Sequence, residues 1–284
     1  MLKDITPLIL TFNEAPNIAR TLDRLVWAKE IVVIDSFSVD ETVEIVARYS
    51  QARILQREFS SFAEQCNFGL KCGNIKTEWV LNLDADYVLT DEFVDELGTL
   101  SPPRDIDGYR AHFIYCVNGK RLRSGIYPRV TVLFRKDQAQ YVSDGHAHRV
   151  QIMGVVADLR SPILHDDRKP FQRWLQTQTR YAELEAKKLR ETLPDALSWT
   201  DRLRRWRVIA PPAMLLYCLI VRGGVFDGWA GFYYAFQRTL AELLLALQLL
   251  ERSVEPKVTQ SVSQEHSTLL DEPATDLKVQ RTKV

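Results

Sequence analysis

A chain of 284 residues, 46% of them hydrophobic, can bury one catalytic core with appendages. Its 37 basic and 37 acidic residues balance, so bulk charge points to neither nucleic acid nor an acidic partner. Cys66, Cys72, Cys116 and Cys218 form no CxxC pair and no metal spacing, which fits buried thiols in a reduced compartment better than a disulfide scaffold.

The opening MLKDITPLIL carries one lysine and a short apolar run broken by a proline. It reads as a first strand and not as a secretory signal, so the expected location of the catalytic half is the cytoplasm. Residues 5–12 are a predicted strand, and 17–26 have helical spacing through Ile18, Leu22, Leu25 and Val26. The run 31–34 is a second strand, ending at Asp35, and 41–49 a helix with Asp40 as its cap. Residues 52–55 form an edge strand, 62–70 a helix, and 79–83 a strand ending in Asp84-Ala85-Asp86. This alternation predicts an α/β fold with a mainly parallel sheet flanked by helices. Such sheets bind ligands beyond the carboxyl ends of their strands. Asn13, Glu14, Asp35, Ser36, Ser38, Asp40, Asp84 and Asp86 all follow predicted strands.

A mixed region follows, with strand-like stretches at 109–117, 130–134 and 150–159 and turns at Gly119 and Gly125. Helical composition returns at 171–193. Arg202, Arg204, Arg205 and Arg207 then interleave with Trp199 and Trp206, ahead of the apolar run 208–221. That run holds Pro211 and Pro212 and is shorter than the roughly 20 residues a spanning helix needs, so interface or core packing is expected. The segment 239–250 is leucine-rich, and the polar, proline-containing 256–284 reads as a disordered tail. The predicted organisation is a catalytic core over 1–166, a helical and membrane-associated extension over 167–255, and the tail.

Two carboxylates one residue apart, Asp84 and Asp86, suit a divalent ion, Mg²⁺ or Mn²⁺, that offsets phosphate charge; a polar turn closing the strand is the plainer reading. Asp35 can accept hydrogen bonds from a ribose hydroxyl or a base N–H, with Ser38 and Asp40 shaping the turn, or can cap the next helix. No GxGxxG follows the first strand, which argues against a dinucleotide-binding dehydrogenase. Asp144, His146 and His148 are candidates for a base that deprotonates a sugar hydroxyl, each histidine also fitting a packed or solvated role. His165 can be a third ligand to the ion at Asp86 or a helix cap. Arg129 and Arg135 can neutralise phosphate or orient an acceptor, or stand solvated.

Taken together, TFNEAPNIARTLDRL, IVVIDSFSVDETVEI and WVLNLDADY resemble family 2 inverting glycosyltransferases of the GT-A fold. The likeness is strongest to bacterial enzymes similar to the lipopolysaccharide-core β-1,4-glucosyltransferases. Tyr127-Pro128-Arg129 with LFRK, DGHAHRV, SPILHDD and FDGWAGFYYAF resemble later segments of that group, so the likeness spans roughly 4–250. It implies a metal-dependent transfer of a hexose, glucose from UDP-glucose by family likeness, to a lipid-linked or lipopolysaccharide-type glycan. In that scheme Asp35 recognises the nucleoside, Asp84 positions ribose or metal, and Asp86 binds the metal. Asp144 is the preferred base, with His146 and His148 as rivals, because Arg149 stands where the group commonly has glutamate and a guanidinium cannot accept a proton. Tyr87 likewise stands where glutamate often follows the D-x-D. A non-catalytic carbohydrate-binding or scaffold protein and a nucleotidyltransferase are the competing functions. The arginines and tryptophans of 199–207 predict peripheral association with an anionic membrane at its cytoplasmic face.

Overall fold

The computed structural model describes residues 1–144, 147–193, 195 and 197–254. The predicted tail therefore lies outside the described residues, as do Gly145 and His146. Four parallel strands build the first half: β1 (Ile5–Thr11), β2 (Ile31–Asp35), β3 (Ala52–Gln56) and β4 (Trp79–Asp84). Strand β5 (Tyr87–Leu89), β6 (Ile106–Val117), β7 (Lys120–Arg121), β8 (Val130–Arg135), the β9 (Ala139–Asp144) and β10 (Ala147–Ile152) hairpin and β11 (Val155–His165) complete the strand set. The main sheet runs β3-β2-β1-β4-β8-β6-β11-β5, with β7 paired to β6.

Strand β8 is antiparallel to both β4 and β6, and β11 is parallel to β6. The carboxyl ends of β1, β2, β4, β6 and β11 consequently share one edge. Residues 150–159, expected as one strand, are split by a turn at Met153-Gly154 between β10 and β11. The hydropathy run is continuous there because both strands contribute apolar residues, and only the turn chemistry separates them.

Strands buried on both faces read as continuous apolar runs, and β2 is buried at all five positions. Ile31 and Val33 face a core completed by Ile18 and Leu22 of α1 (Ile18–Asp23), Val46 of α2 (Thr42–Val46) and Phe93 and Leu97 of α4 (Asp91–Thr99). Val32 and Ile34 face the opposite core, with Ala63 and Cys66 of α3 (Phe62–Cys72) and Tyr141 of the hairpin. Gly69 lets α3 approach the sheet, since a Cβ there would sit 2.6 Å from Leu8. Asn67 on α3 exchanges two 2.9 Å hydrogen bonds with the Tyr141 backbone, which anchors the hairpin.

The remaining helices are α5 (Phe171–Glu191), α6 (Trp199–Arg204), α7 (Ala210–Leu216) and α8 (Trp229–Val254). Pro211 and Pro212 open α7 at its first positions, where a missing N–H costs nothing, so they start a helix here and do not break one. Ala182, Ala186 and Leu189 of α5 pack on Leu245 and Leu249 of α8. Among the described residues no helix is long and apolar enough to cross a membrane.

Of the arginine cluster, Arg202 is exposed and Arg204, Arg205 and Arg207 are half-buried, and three of them also make contacts within the protein. Arg204 pairs with Glu242 at 2.8 Å and lies 3.7 Å from Glu185, binding α6 to α8 and α5. Arg205 donates to the Leu189 carbonyl at the end of α5, and Arg202 to the Leu197 carbonyl. Trp199 and Trp206 remain exposed.

Candidate active site

The site is assembled along the shared carboxyl edge by loops that sequence alone spaces far apart. After β1 the chain turns through Asn13 in the left-handed region at φ 55°, a conformation asparagine tolerates better than most residues. The Asn13 N–H donates to Ser38 Oγ at 2.9 Å, and Asn13 Oδ1 accepts from Val39 N–H. The Glu14 N–H donates to Thr42 Oγ1, and Asp40 accepts from Ala15 N–H and Thr42 N–H. Asn13, Ser38 and Asp40 thus zip the β1 and β2 loops together, and Asp40 also serves the start of α2.

Asp35 is the hub of that loop. Its Oδ1 accepts from Thr11 at 2.9 Å and Ser38 Oγ at 2.5 Å, and its Oδ2 from Ser38 N–H at 2.9 Å and Gln56 at 3.2 Å. Four donors fill the usual acceptor capacity of a carboxylate, so in this conformation the turn-holding role anticipated beside nucleoside recognition is the one occupied.

The D-x-D turn is stapled from two sides. Thr21 Oγ1 on α1 donates to the Ala85 carbonyl at 2.7 Å, and Asp166 N–H donates to the Asp86 carbonyl at 3.1 Å. Pairing of Tyr87 with His165 between β5 and β11 carries the imidazole to Asp86, with Nε2 3.3 Å from Oδ2. Burial alone would depress this imidazole, but the charge and hydrogen bond of Asp86, with Asp84 and Asp167 beyond, raise its pKa. Burial opposes charge on Asp86 too, yet His165 and Lys169 outweigh it and hold the carboxyl down at about 2.

In this conformation Nε2 of His165 is spent on Asp86, which it orients and offsets, while the other ring nitrogen, Nδ1, is buried without a hydrogen-bond partner. Among the described residues no three His, Cys, Asp or Glu side chains form a ready cage. The chemistry of the pair still fits a divalent cation. Asp86 Oδ1 is buried without a hydrogen-bond partner, and Asp84 ends the preceding strand. An unsatisfied buried carboxylate oxygen is the kind of group a hard cation satisfies, and Mg²⁺ is commonly held by one or two carboxylates plus phosphate oxygens and water.

The segment His165–Pro170 supplies groups that the sequence reading passed over. Lys169 reaches Glu14 at 2.6 Å and Asp167 at 3.5 Å. Burial works against its charge, but Asp86, Glu14 and Asp167 raise it above the ordinary lysine value. Burial pushes the Glu14 carboxyl up to about 7 and outweighs the attraction of Lys169, with Asp86 adding to the rise. Asn17 donates to Glu14 and Asp167, while Arg20 and Arg168 both pair with Asp166. The clustering of HDDRKP was the available signal.

Aromatic rings close the other side. His165 lies 5.3 Å from the Tyr87 ring, 4.9 Å from Tyr115 and 4.7 Å from Tyr127. The Tyr87 and Tyr127 hydroxyls are 2.7 Å apart. The loop before Tyr127 is pinned from the C-terminal helices: Asp227 accepts from the N–H groups of Arg123 and Ser124 and from Ser124 Oγ at 2.7 Å. Ile126 N–H donates to Tyr234 of α8 at 3.1 Å.

The candidate arginines go elsewhere. Arg135 pairs with Trp79, the first residue of β4, and so sits at the opposite end of that strand from Asp84, about 17 Å away at the usual strand rise. It caps the Trp79 ring, with its guanidinium carbon 4.7 Å from the centroid, and pairs with Glu78 and, at 3.3 Å, Asp107. Phosphate neutralisation by Arg135 is therefore corrected. Arg129 is exposed and 3.6 Å from Asp158. Asp144 and His148 flank the turn of the β9–β10 hairpin, where Asp144 pairs with Ala147 and His148 with Ser143. Their side chains and all of His146 lie outside the described residues.

Residues 8–141 match the family model described as glycosyl transferase family 2, which classes this segment as a glycosyltransferase. An uncharacterised glycosyltransferase of Rickettsia bellii is 31% identical over 147 residues, covering 50% of this chain and 49% of that protein. The chain thus spans about half the length of that curated relative. Lipopolysaccharide core biosynthesis glycosyltransferase LpsC of Rhizobium meliloti is 24% identical over 274 residues, 91% of this chain and 97% of that protein. Among solved structures, S. aureus TarS 1–349 in complex with UDP is similar at 12% identity and a TM-score of 0.45, covering 88% of this chain and 91% of that one.

Proposed function

We propose that the chain is a metal-dependent, inverting GT-A glycosyltransferase that moves a hexose from a nucleotide sugar, UDP-glucose, to a lipid-linked or lipopolysaccharide-type glycan. The observation that carries this reading is the meeting of Asp84, Asp86 and His165 at the carboxyl edge, beside loops fixed by Asn13, Asp35, Ser38 and Asp40. The full-length likeness to the Rhizobium lipopolysaccharide-core enzyme supports the acceptor class.

Asp86 and Asp84 would hold Mn²⁺ or Mg²⁺, which when bound supplies positive charge against the diphosphate. His165 keeps Asp86 ionised and aimed, and Lys169 adds fixed positive charge to the same edge. The acceptor hydroxyl oxygen attacks the anomeric carbon as the bond to the diphosphate oxygen breaks. Its proton passes to a base, and single displacement inverts the configuration. Asp144 is the proposed base, with His146 and His148 the alternatives on the same hairpin.

We also propose peripheral association with a lipid surface. Apolar exposure beside the arginines supports it: Trp206, Val208, Ile220, Val221, Phe226 and Trp229 are each more than 60% exposed.

The test is incubation of purified protein with a panel of nucleotide sugars, with Mn²⁺ or with chelator. Metal-dependent release of nucleoside diphosphate from UDP-glucose is expected. Pyrophosphate release from a nucleoside triphosphate would favour a nucleotidyltransferase, and glycan binding without turnover a non-catalytic protein.

A further inference from the structure

Arg238 lies on the inward face of α8, one turn after Tyr234 and one turn before Glu242. The carboxylate that helical spacing would offer it is already taken, because Glu242 receives Arg204 through three hydrogen bonds of 2.8–3.2 Å. Arg238 Nε is buried with no hydrogen-bond partner, and among the described residues Arg238 makes no hydrogen bond and no ion pair. Arg238 is half-buried, and its terminal nitrogens are not sealed from solvent as Nε is, so they are open to an acceptor from outside.

The position of this guanidinium indicates what that acceptor is. Tyr234 packs on Tyr115 at 4.7 Å, Tyr115 on His165 at 4.9 Å, and His165 meets Asp86 at 3.3 Å. Helices α5 and α8 run in the same direction, since Glu185 and Glu242 meet at Arg204 and Arg190 further on donates to the Gln248 carbonyl. One turn back on each helix stand Tyr181 and Arg238. Arg238 therefore lies one helical turn beyond the contact of Tyr234 with Tyr115 of β6, a strand on the other side of β4 from β1 and β2. Of the cations close to the D-x-D turn, Arg20, Arg168 and Lys169 are paired with carboxylates.

We propose that Arg238 binds an oxyanion carried by the acceptor, a phosphate, which the planar fork of a guanidinium matches with two parallel hydrogen bonds. This rests on the glycosyltransferase reading and adds to it that the acceptor is acidic close to the hydroxyl that reacts. Arg238 is also set apart from the donor diphosphate, which belongs with Asp84 and Asp86.

The test is titration of inorganic phosphate into the full chain by calorimetry, with and without saturating UDP and Mg²⁺, for the natural protein, Arg238→Gln and Arg238→Lys. Phosphate is expected to bind the natural protein even when UDP is present. Arg238→Gln should weaken phosphate about tenfold or more, and Arg238→Lys less, since a point charge replaces the fork. UDP affinity should be unchanged in both variants, which also reports an intact fold. Equal phosphate affinity in Arg238→Gln, absence of phosphate binding by the natural protein, or displacement of phosphate by UDP would each overturn the assignment. Failure of the glycosyltransferase reading has a different signature, the absence of UDP binding by the natural protein, and the titrations without UDP still decide the role of Arg238.

Discussion

His165 Nε2 stands 3.3 Å from Asp86 Oδ2, and the backbone next to His165 is tied to Asp86 by the Asp166 N–H donating to its carbonyl. Two segments almost eighty residues apart in the chain thus hold one carboxylate ionised and aimed. Asp86→Asn is expected to reduce transfer by more than about a hundredfold, with Asp84→Asn comparable or somewhat milder. His165→Gln, which removes an orienting partner, should cost about 10–100-fold and raise the metal concentration needed for half-maximal rate. Rates across a Mn²⁺ titration check both, and a His165→Gln enzyme with natural metal dependence would reduce that residue to packing.

Asp35 shows how a site residue can also be a structural one. Asp35→Ala strands Thr11, Ser38 and Gln56 without their acceptor, and about 1–3 kcal/mol of stability should be lost in urea unfolding. UDP affinity should fall with it, because the loop that Asp35 holds borders the ligand edge. Asp35→Asn keeps part of the acceptor set and should fall between the two. Stability lost with UDP affinity intact would confine Asp35 to the turn.

Much of the edge was legible in the sequence because apolar runs followed by polar residues recur there. IVVID and WVLNLD end where β2 and β4 end, and a parallel sheet necessarily sends those ends to one side. What was not legible depended on pairing. Only the β5–β11 register brings His165 to Asp86, and only the antiparallel insertion of β8 sends Arg135 to the opposite edge despite its place in a motif-like stretch. For the arginines of 202–205 the sequence shows their density but not the acceptors within the protein, Glu242 and backbone carbonyls, that they also reach. Short elements such as β5 have too few residues to show a period.

Arg135 supplies the contrasting variant. Arg135→Ala removes the stacking on Trp79 and the pair with Asp107, so stability should drop by about 1 kcal/mol. Because the residue lies at the wrong edge for phosphate, kcat and KM should stay at their natural values. A raised KM for the donor with a stable fold would return Arg135 to the site.

Asp227 predicts a pH effect. Burial raises its pKa, but the hydrogen bonds from Ser124 and Arg123 outweigh this and hold it below the ordinary aspartate value. A carboxyl depressed in the folded state stabilises the protein above its unfolded pKa, and that contribution is lost as pH falls through the folded pKa. Asp227→Asn should therefore lower stability by about 1–3 kcal/mol at neutral pH, with the difference shrinking under acid conditions. Thermal melts of both proteins from neutral pH down into the acid range check the sign. A gap that widens on acidification would contradict it.

The most direct measurement is calorimetric titration of UDP into the natural protein and Asp86→Asn, each with Mn²⁺ and with chelator. Binding that requires Mn²⁺ in the natural protein, and is lost in Asp86→Asn with the fold intact by circular dichroism, is the predicted result. UDP affinity that is indifferent to both Mn²⁺ and the substitution would contradict the account of the carboxyl edge as a metal-assisted nucleotide-sugar site.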